Sequence, residues 1–232
     1  MALEPRIGEH ETKYVFPSHL AGKLAAWLKG RCRPDPMYAE GRVSSIYFDT
    51  HDCSLLREKI NSDYLKTKIR LRWYIDPVTG RNLPANFLEV KCKIGSSRKK
   101  LRLDSGLETA WIDAAPLSDE TFLGVSLQLQ RLGVGLHGAL RPTLRIEYTR
   151  LRFIDPLTGM RLCVDYDIRA TDCNPRMLGS TRPYPLKSGV FELKGRNGRL
   201  PDWLHQLTAF GCRRAAFSKY SACWQQVTNQ PF

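Results

Sequence analysis

A chain of 232 residues with 42% hydrophobic content carries enough apolar material for a packed core, in one large domain or two small ones. Lys and Arg (36) exceed Asp and Glu (23) to give a net charge of +13, which favours an anionic partner such as nucleic acid, anionic lipid, nucleotide or polyphosphate. Seven scattered cysteines with no C-x-x-C pair, and five His at no zinc-ligand spacing, speak against a zinc module and for a reducing compartment. Met1 to Glu11 is charged and lacks the apolar core of a signal peptide, and no run approaches the roughly 18 apolar residues of a membrane span. The expectation is a soluble, cytoplasmic protein.

In chain order, Glu9–Phe16 alternates and predicts a first strand with Glu9, Glu11 and Lys13 on one face. Pro17-Ser18 opens a helix with an apolar stripe of Leu20, Leu24, Trp27 and Leu28, stopped by Gly30, Pro34 and Pro36. Arg42–Thr50 predicts a second strand, and Asp52–Ile60 a short helical turn capped by Asp52. Further strands are predicted at Tyr64–Ile75, Asn86–Ile94 and Ser97–Leu103, the first two joined by the turn Asp76-Pro-Val-Thr-Gly80. Residues 104–138 read as mostly helical from near Ser118, closed by Gly133, Gly135 and Gly138. Thr143–Ile154 and Met160–Ile168 form a hairpin about Asp155-Pro-Leu-Thr-Gly159; Arg169–Ser188 is a loop and Gly189–Lys194 a strand. Pro201–Phe210 is a helix ended by Gly211, and Ser218 caps a terminal helix through Val227.

The parity of the strands carries the chemistry. In Tyr64–Ile75, Lys68, Arg70, Arg72 and Tyr74 share one face while Ile69, Leu71 and Trp73 share the other. Glu89, Lys91 and Lys93 repeat the arrangement, as do Tyr148, Arg150 and Arg152, then Arg161 and Asp165, then Glu192 and Lys194. From Lys66 to Arg102 there are eleven Lys or Arg against Asp76 and Glu89. A single such strand is most simply a solvated sheet face, and Arg98-Lys-Lys100 an edge that blunts pairing. Recurrence across six strands is harder to explain that way. Two like charges about 4 Å apart cost roughly 4 kcal/mol at an effective dielectric of about 20, so converging cations require water, carboxylates or a bound polyanion. Arg forks and Lys point charges suit phosphate, and the interspersed carboxylates suit a divalent cation bridging to it. About eight strands of this kind predict a barrel with a charged lumen and helices outside. Two echoes, Arg72–Arg81 with Arg152–Arg161 and Glu89-Val-Lys91 with Glu192-Leu-Lys194, differ in offset (80 and 103 residues), which excludes a tandem repeat while hinting at two related halves. Nucleic-acid signatures of the RRM or KH type and Walker-type glycine loops are absent.

The ordered set Lys13-Tyr14, Ser45-Ile-Tyr-Phe-Asp49, Lys68-Ile-Arg-Leu-Arg-Trp-Tyr74, Glu89-Val-Lys91, Tyr148-Thr-Arg150, Val164-Asp165, Glu192-Leu-Lys194 and Ser218-Lys-Tyr220 resembles the VTC domain, the polyphosphate polymerase domain of the vacuolar transporter chaperone complex. The resemblance implies one domain over residues 1–232 with the triphosphate tunnel fold: α+β, a closed antiparallel eight-stranded barrel flanked by helices. It implies ATP-dependent polyphosphate synthesis with Mn²⁺ or Mg²⁺. By the same resemblance, Lys13, Arg70, Arg72, Lys91, Arg150, Arg161 and Lys219 act on the phosphates. Lys68, Lys93, Tyr148 and Lys194 bind substrate, and Glu192, Glu11, Glu9, Glu89 and Asp165 are candidates for the metal. ATP and polyphosphate are the expected partners, with no nucleic acid and no membrane segment; a membrane-protein partner and the oligomeric state stay open. Two alternatives remain at this point. Glu9-x-Glu11-x-Lys13 resembles the CYTH signature of triphosphatases, which would hydrolyse inorganic or thiamine triphosphate, and a barrel without turnover would simply bind polyanions.

Overall fold

Eight long strands carry the alternation read from the sequence, and each pairs antiparallel with its neighbours. The computed structural model describes residues 10–61, 64–95, 97–136, 138–179, 184–195 and 200–230. Glu9 therefore lies outside the described residues. The strands are β1 (His10–Pro17), β3 (Glu40–Asp49), β4 (Leu65–Ile75), β5 (Asn82–Ile94), β6 (Ser97–Asp104), β7 (Arg141–Ile154), β8 (Arg161–Cys173) and β9 (Ser188–Gly195). Two short strands, β2 (Arg33–Pro34) and β10 (Arg213–Arg214), bring the sheet to ten. Its order is β10-β1-β9-β8-β7-β3-β4-β5-β6, with β2 paired to β7.

The expected closed eight-stranded barrel is thus corrected to a ten-stranded sheet that is not closed. Two local features explain the open seam. Beside β1, the outer edge is already taken at Tyr14 and Val15 by β10, and the Ala215 N–H donates to the Lys13 carbonyl. At the other end, β6 carries positions 98, 99, 100 and 102 as Arg or Lys, and cations on an edge strand disfavour further pairing.

Apolar residues of each strand face outward into two helix-covered clusters. Ile69, Leu71, Trp73, Leu88, Val90 and Leu101 pack beneath α3 (Thr109–Ala114) and α4 (Leu123–Arg131) through Ile112, Phe122, Val125 and Leu129. Phe16, Leu162, Val164, Phe191 and Leu193 pack beneath α1 (Ala21–Lys29) and a 3-10 helix, Asp202–Phe210, through Leu24, Leu28 and Leu207. Each fully buried aliphatic or aromatic side chain of this kind stabilises the fold by roughly 1.5–3 kcal/mol. A third cluster lies on the concave face. There α5 (Lys219–Thr228) sets Tyr220 and Cys223 against Val43, Tyr47, Ile146, Tyr148 and Val190, so the helix fills one end of the interior.

Several sequence expectations shift for identifiable reasons. The helix expected from Asp52 is α2 (Ser54–Ile60), and its first N–H groups go elsewhere. Leu55 and Leu56 donate to the Asp49 carboxylate and Ser54 donates to Thr50 Oγ1. β8 runs on to Cys173 because Asp167, at φ 53°, forms an irregularity that flips the parity of the residues beyond it. The helical segment expected from Ser118 is preceded by α3 and begins as a 3-10 turn at Glu120, and the helix expected at Pro201–Phe210 is 3-10. Ser218 caps α5 as expected, accepting from the Ser221 N–H.

The two Asp-Pro-x-Thr-Gly turns are the same structure. Asp76 accepts from the Thr79 N–H and Oγ1, as Asp155 does from those of Thr158. Each turn ends on a glycine in the left-handed region, Gly80 at φ +68° and Gly159 at φ +67°. They join β4 to β5 and β7 to β8, and each hairpin carries one arginine opposite one carboxylate on its concave face: Arg70 with Glu89, Arg150 with Asp165.

Candidate functional site

Side chains of the inward parity meet in a cavity of about 980 Å³. Among the described residues, sixteen Lys and Arg line it against three Glu, a positive excess suited to an anion. The excess is concentrated on one wall. Across β4, β5 and β6, Lys68 stands opposite Lys91, and Lys91 opposite Lys100; one rung away Lys66 stands opposite Lys93. Directly opposed like charges destabilise a ladder. A carboxylate enters at the next rung, Arg70–Glu89–Arg102.

Glu89 is 3% exposed and is surrounded by cations. Arg70 Nη2 lies at 2.6 Å and its Nε at 2.8 Å; Arg72 and Lys100 approach to 3.6 Å and Arg102 to 3.8 Å. Burial raises such a carboxyl, but Arg70, Arg72 and Lys100 outweigh it and hold Glu89 well below the usual range. Arg72 is otherwise held by neutral groups, donating to Ser45 Oγ (3.2 Å) and Tyr148 Oη (3.0 Å). Lys91 opens onto the water of the cavity while protein crowds its other sides. That crowding first, then Arg70 and Lys194, pull it down to about 6. Lys68 is pulled down to about 8 by burial, against the attraction of Tyr47, whose ring its ammonium faces at 4.8 Å.

The opposite wall, from β1, β9, β8 and β7, interleaves carboxylates with its cations. Glu192 lies 3.0 Å from Lys194 and 3.5 Å from Lys13, and Glu11 lies 3.5 Å from Lys13 and 3.8 Å from Lys194. Burial raises both glutamates, and the surrounding lysines reverse this, leaving them lowered. Asp165 is fully buried and accepts from two Arg150 nitrogens at 2.6 Å and from Lys219 at 2.5 Å. Against the penalty of burial, these cations hold it at about 2. Lys219 also faces the Tyr148 ring at 4.6 Å, and its Asp165 contact raises it above the ordinary lysine value despite burial.

Of the residues singled out from the sequence, Glu11, Lys13, Lys68, Arg70, Arg72, Glu89, Lys91, Lys93, Tyr148, Arg150, Arg161, Glu192, Lys194 and Lys219 all line the cavity. Asp165 sits behind Arg150 and Lys219. Sequence reasoning did not place Lys66, Tyr47, Lys100, Arg102 or Arg214 there. The signal for Lys100 and Arg102 was their parity opposite Leu101 and Leu103. Arg214 belongs to a two-residue strand, too short to show any period.

The carboxylates divide by what their oxygens already meet. Glu89 and Asp165 are held by guanidinium and ammonium groups at 2.5–2.6 Å, closer than the lysines that approach Glu11 and Glu192 at 3.0 Å or more. Glu11 and Glu192 lie diagonally across the β1–β9 ladder, where Glu11 pairs with Lys194 and Lys13 with Glu192, and both face the cavity. Among the described residues no group of three or more His, Cys, Asp or Glu is placed to hold a metal ion. A pair of carboxylates still fits a hard divalent cation that keeps several waters and completes its shell from phosphate oxygens.

Fold and site together define a class: an α+β protein whose large antiparallel sheet, covered by helices, gathers cations around a cavity. The VTC domain family matches residues 8–228, nearly the full length, and the chain belongs to that family. A candidate adenylate cyclase from Bacillus halodurans is similar in structure with a TM-score of 0.52 at 14% identity, over 91% of this chain and 96% of that one. The PH1819 protein of Pyrococcus horikoshii OT3 gives 0.50 at 10% identity, over 93% and 98%. At these identities the likeness is one of fold. No curated protein matches the chain. Family and neighbours support the triphosphate tunnel fold, and among the described residues no helix is long and apolar enough to cross a membrane.

Proposed function

We propose that the protein is a metal-dependent phosphotransferase that lengthens polyphosphate with the γ-phosphate of ATP. The observation that carries this reading is the pair of rungs without a carboxylate, Lys66 with Lys93 and Lys68 with Lys91 and Lys100, in the same cavity as Glu11 and Glu192. An extended row of cations suits a chain of phosphates better than one small anion. Membership of the VTC domain family supports it further.

The terminal phosphate of the acceptor is already ionised near neutral pH, so no dedicated base is required. One of its oxygens forms the new bond to the γ-phosphorus, the bond to the β–γ bridging oxygen breaks, and ADP leaves with that oxygen. Arg70 and Arg150, fixed by Glu89 and Asp165, present rigid forks to the phosphoryl oxygens. Arg72, donating to Tyr148 and Ser45 and shared with Glu89 only at 3.6 Å, is freer than Arg70 to meet the substrate. Lys13, Lys91, Arg161, Lys194 and Lys219 align donor and acceptor, and alignment is the larger part of catalysis for a loose phosphoryl transition state. A divalent ion, Mn²⁺ or Mg²⁺, held by Glu11 and Glu192 would neutralise charge on the phosphates.

Incubation with ATP and Mn²⁺, with and without a short polyphosphate primer, tests the proposal. ADP plus long polymer is expected, and Glu192→Gln and Arg70→Ala should each remove turnover. Near-normal polymer from both variants would overturn the assignment of the site. Orthophosphate released from tripolyphosphate would identify a CYTH-type hydrolase instead, and binding without reaction a polyanion-binding protein.

A further inference from the structure

Asp49, the last residue of β3, is fully buried and serves none of the roles above. Its carboxylate is met by neutral donors. Oδ1 accepts from the Thr50 N–H at 2.8 Å and the Leu55 N–H at 2.9 Å; Oδ2 accepts from the Leu56 N–H and from Tyr220 Oη, each at 3.0 Å. Tyr220 stacks its ring on Tyr47 with centroids 5.1 Å apart and planes 7° from parallel. The Tyr47 hydroxyl in turn accepts from Arg70 Nη1 at 3.3 Å. Lys219, the residue before Tyr220, is the one that reaches Asp165.

A buried carboxylate is costly, and capping α2 alone would be met by Asn, Ser or Thr. What a carboxylate adds is two oxygens that only accept, so three backbone N–H groups and the Tyr220 hydroxyl converge without conflict, with Thr50 Oγ1 a longer contact at 3.4 Å. Asn would turn an N–H₂ toward one of them. The fourth donor belongs to α5, the helix that fills one end of the cavity.

We infer that Asp49 and Tyr220 are positioning residues: the Asp49–Tyr220 hydrogen bond fixes the first turn of α5 and thereby sets Lys219 over the site. The inference rests on the proposed phosphate-binding role of the cavity. β3 then contributes to the site without touching substrate through Asp49, and the Ser45-Ile-Tyr-Phe-Asp49 segment acquires a use its sequence does not announce.

Tripolyphosphate binding is the probe, because it does not depend on turnover. Tyr220→Phe removes the hydroxyl and keeps the stacked ring, and Asp49→Asn removes the second acceptor. Each should weaken binding by roughly tenfold to a hundredfold, the scale of one misdirected charge-assisted contact. Lys219→Met should weaken it at least as much, and the double variant Lys219→Met/Tyr220→Phe should bind like Lys219→Met alone, since Tyr220 acts through Lys219. A merely structural role would lower the melting temperature and leave the affinity of the folded molecules intact. Wild-type affinity in folded Tyr220→Phe, or effects that multiply in the double variant, overturns the inference. Should Asp49→Asn fail to fold, Tyr220→Phe decides. Absence of polymerase activity in the wild type would refute the enzymatic proposal and leave this cycle readable; absence of tripolyphosphate binding would remove both.

Discussion

Replacing Glu89 by Gln tests whether the cavity is held in balance by its few carboxylates. Glu89 is 3% exposed, and Arg70, its closest partner, is itself largely covered, with 12% of its side chain exposed. Removing one member of such a buried pair costs about 3–5 kcal/mol, because the remaining charge is left without compensation. The lower figure applies here, since the Gln amide oxygen still accepts from Arg70. Arg102, 39% exposed at its side chain, adds little because solvent screens it. About 3 kcal/mol corresponds to a fall in melting temperature of roughly 6–12 °C for a chain of this size. The same change should strengthen polyanion binding. Losing one negative charge about 8 Å from a bound phosphate is worth roughly 2 kcal/mol at an effective dielectric of about 20, about thirtyfold in affinity. Differential scanning fluorimetry with and without tripolyphosphate reads both effects. At about a hundred times the dissociation constant the ligand should restore roughly 2.7 kcal/mol. Because Glu89 lies below the normal carboxylate range, its stabilisation is complete above the unfolded carboxyl value and is lost as the pH falls toward its folded value. The deficit of the variant should therefore persist unchanged through neutral pH. A variant as stable as the wild type, or one that binds tripolyphosphate more weakly, would refute the reasoning; the second result would mean that Glu89 serves binding more by fixing Arg70 than it opposes it by its charge.

Lys91, pulled down to about 6, binds fewer protons in the free folded protein than when unfolded between that value and the ordinary lysine range. Stability attributable to it thus rises with pH across this window, while a bound polyanion restores its charge. Calorimetry at pH about 8 in buffers of different ionisation enthalpy should show proton uptake on tripolyphosphate binding that falls in Lys91→Met; no uptake in the wild type would contradict this. Gly189→Ala would place a Cβ 2.3 Å from Phe16 Cζ in the β1–β9 ladder, and should lower stability by about 1–3 kcal/mol, read by urea denaturation. Asp155→Ala removes the acceptor of Thr158 and of Trp203 Nε1 at a buried position and should cost about 1–3 kcal/mol. The equivalent change in the exposed sister turn, Asp76→Ala, should have a smaller effect; equal losses in thermal melts would refute the comparison.

The inward and outward faces were legible wherever a strand kept its period. Lys68, Arg70 and Arg72 line the cavity and Ile69, Leu71 and Trp73 pack under helices, as their alternation requires. The same rule failed beyond Ile168, because the irregularity at Asp167 breaks the period that a local reading depends on. Closure was also out of reach. Whether β6 meets β1 is decided by edges far apart in sequence, and by β10, whose two arginines have no pattern of their own.

Charge partners were the least legible feature, and the two Glu-x-Lys strands show why. Glu192 does pair with Lys194 two residues on, at 3.0 Å. Glu89, in the same local pattern, turns instead to Arg70 on the neighbouring strand, and Lys91 stands between Lys68 and Lys100. The same Glu-x-Lys pattern thus yields a wall of paired charges around β9 and lysine rungs without a carboxylate around β5. The difference lies in the strands beside them: β1 sets Glu11 opposite Lys194 and Lys13 opposite Glu192, and β8 sets Arg161 opposite Lys194, whereas β4 and β6 set Lys68 and Lys100 on either side of Lys91. That one wall has lysine rungs without a carboxylate while the other interleaves Glu11 and Glu192 among its cations is therefore a property of strand order, and no single strand encodes it.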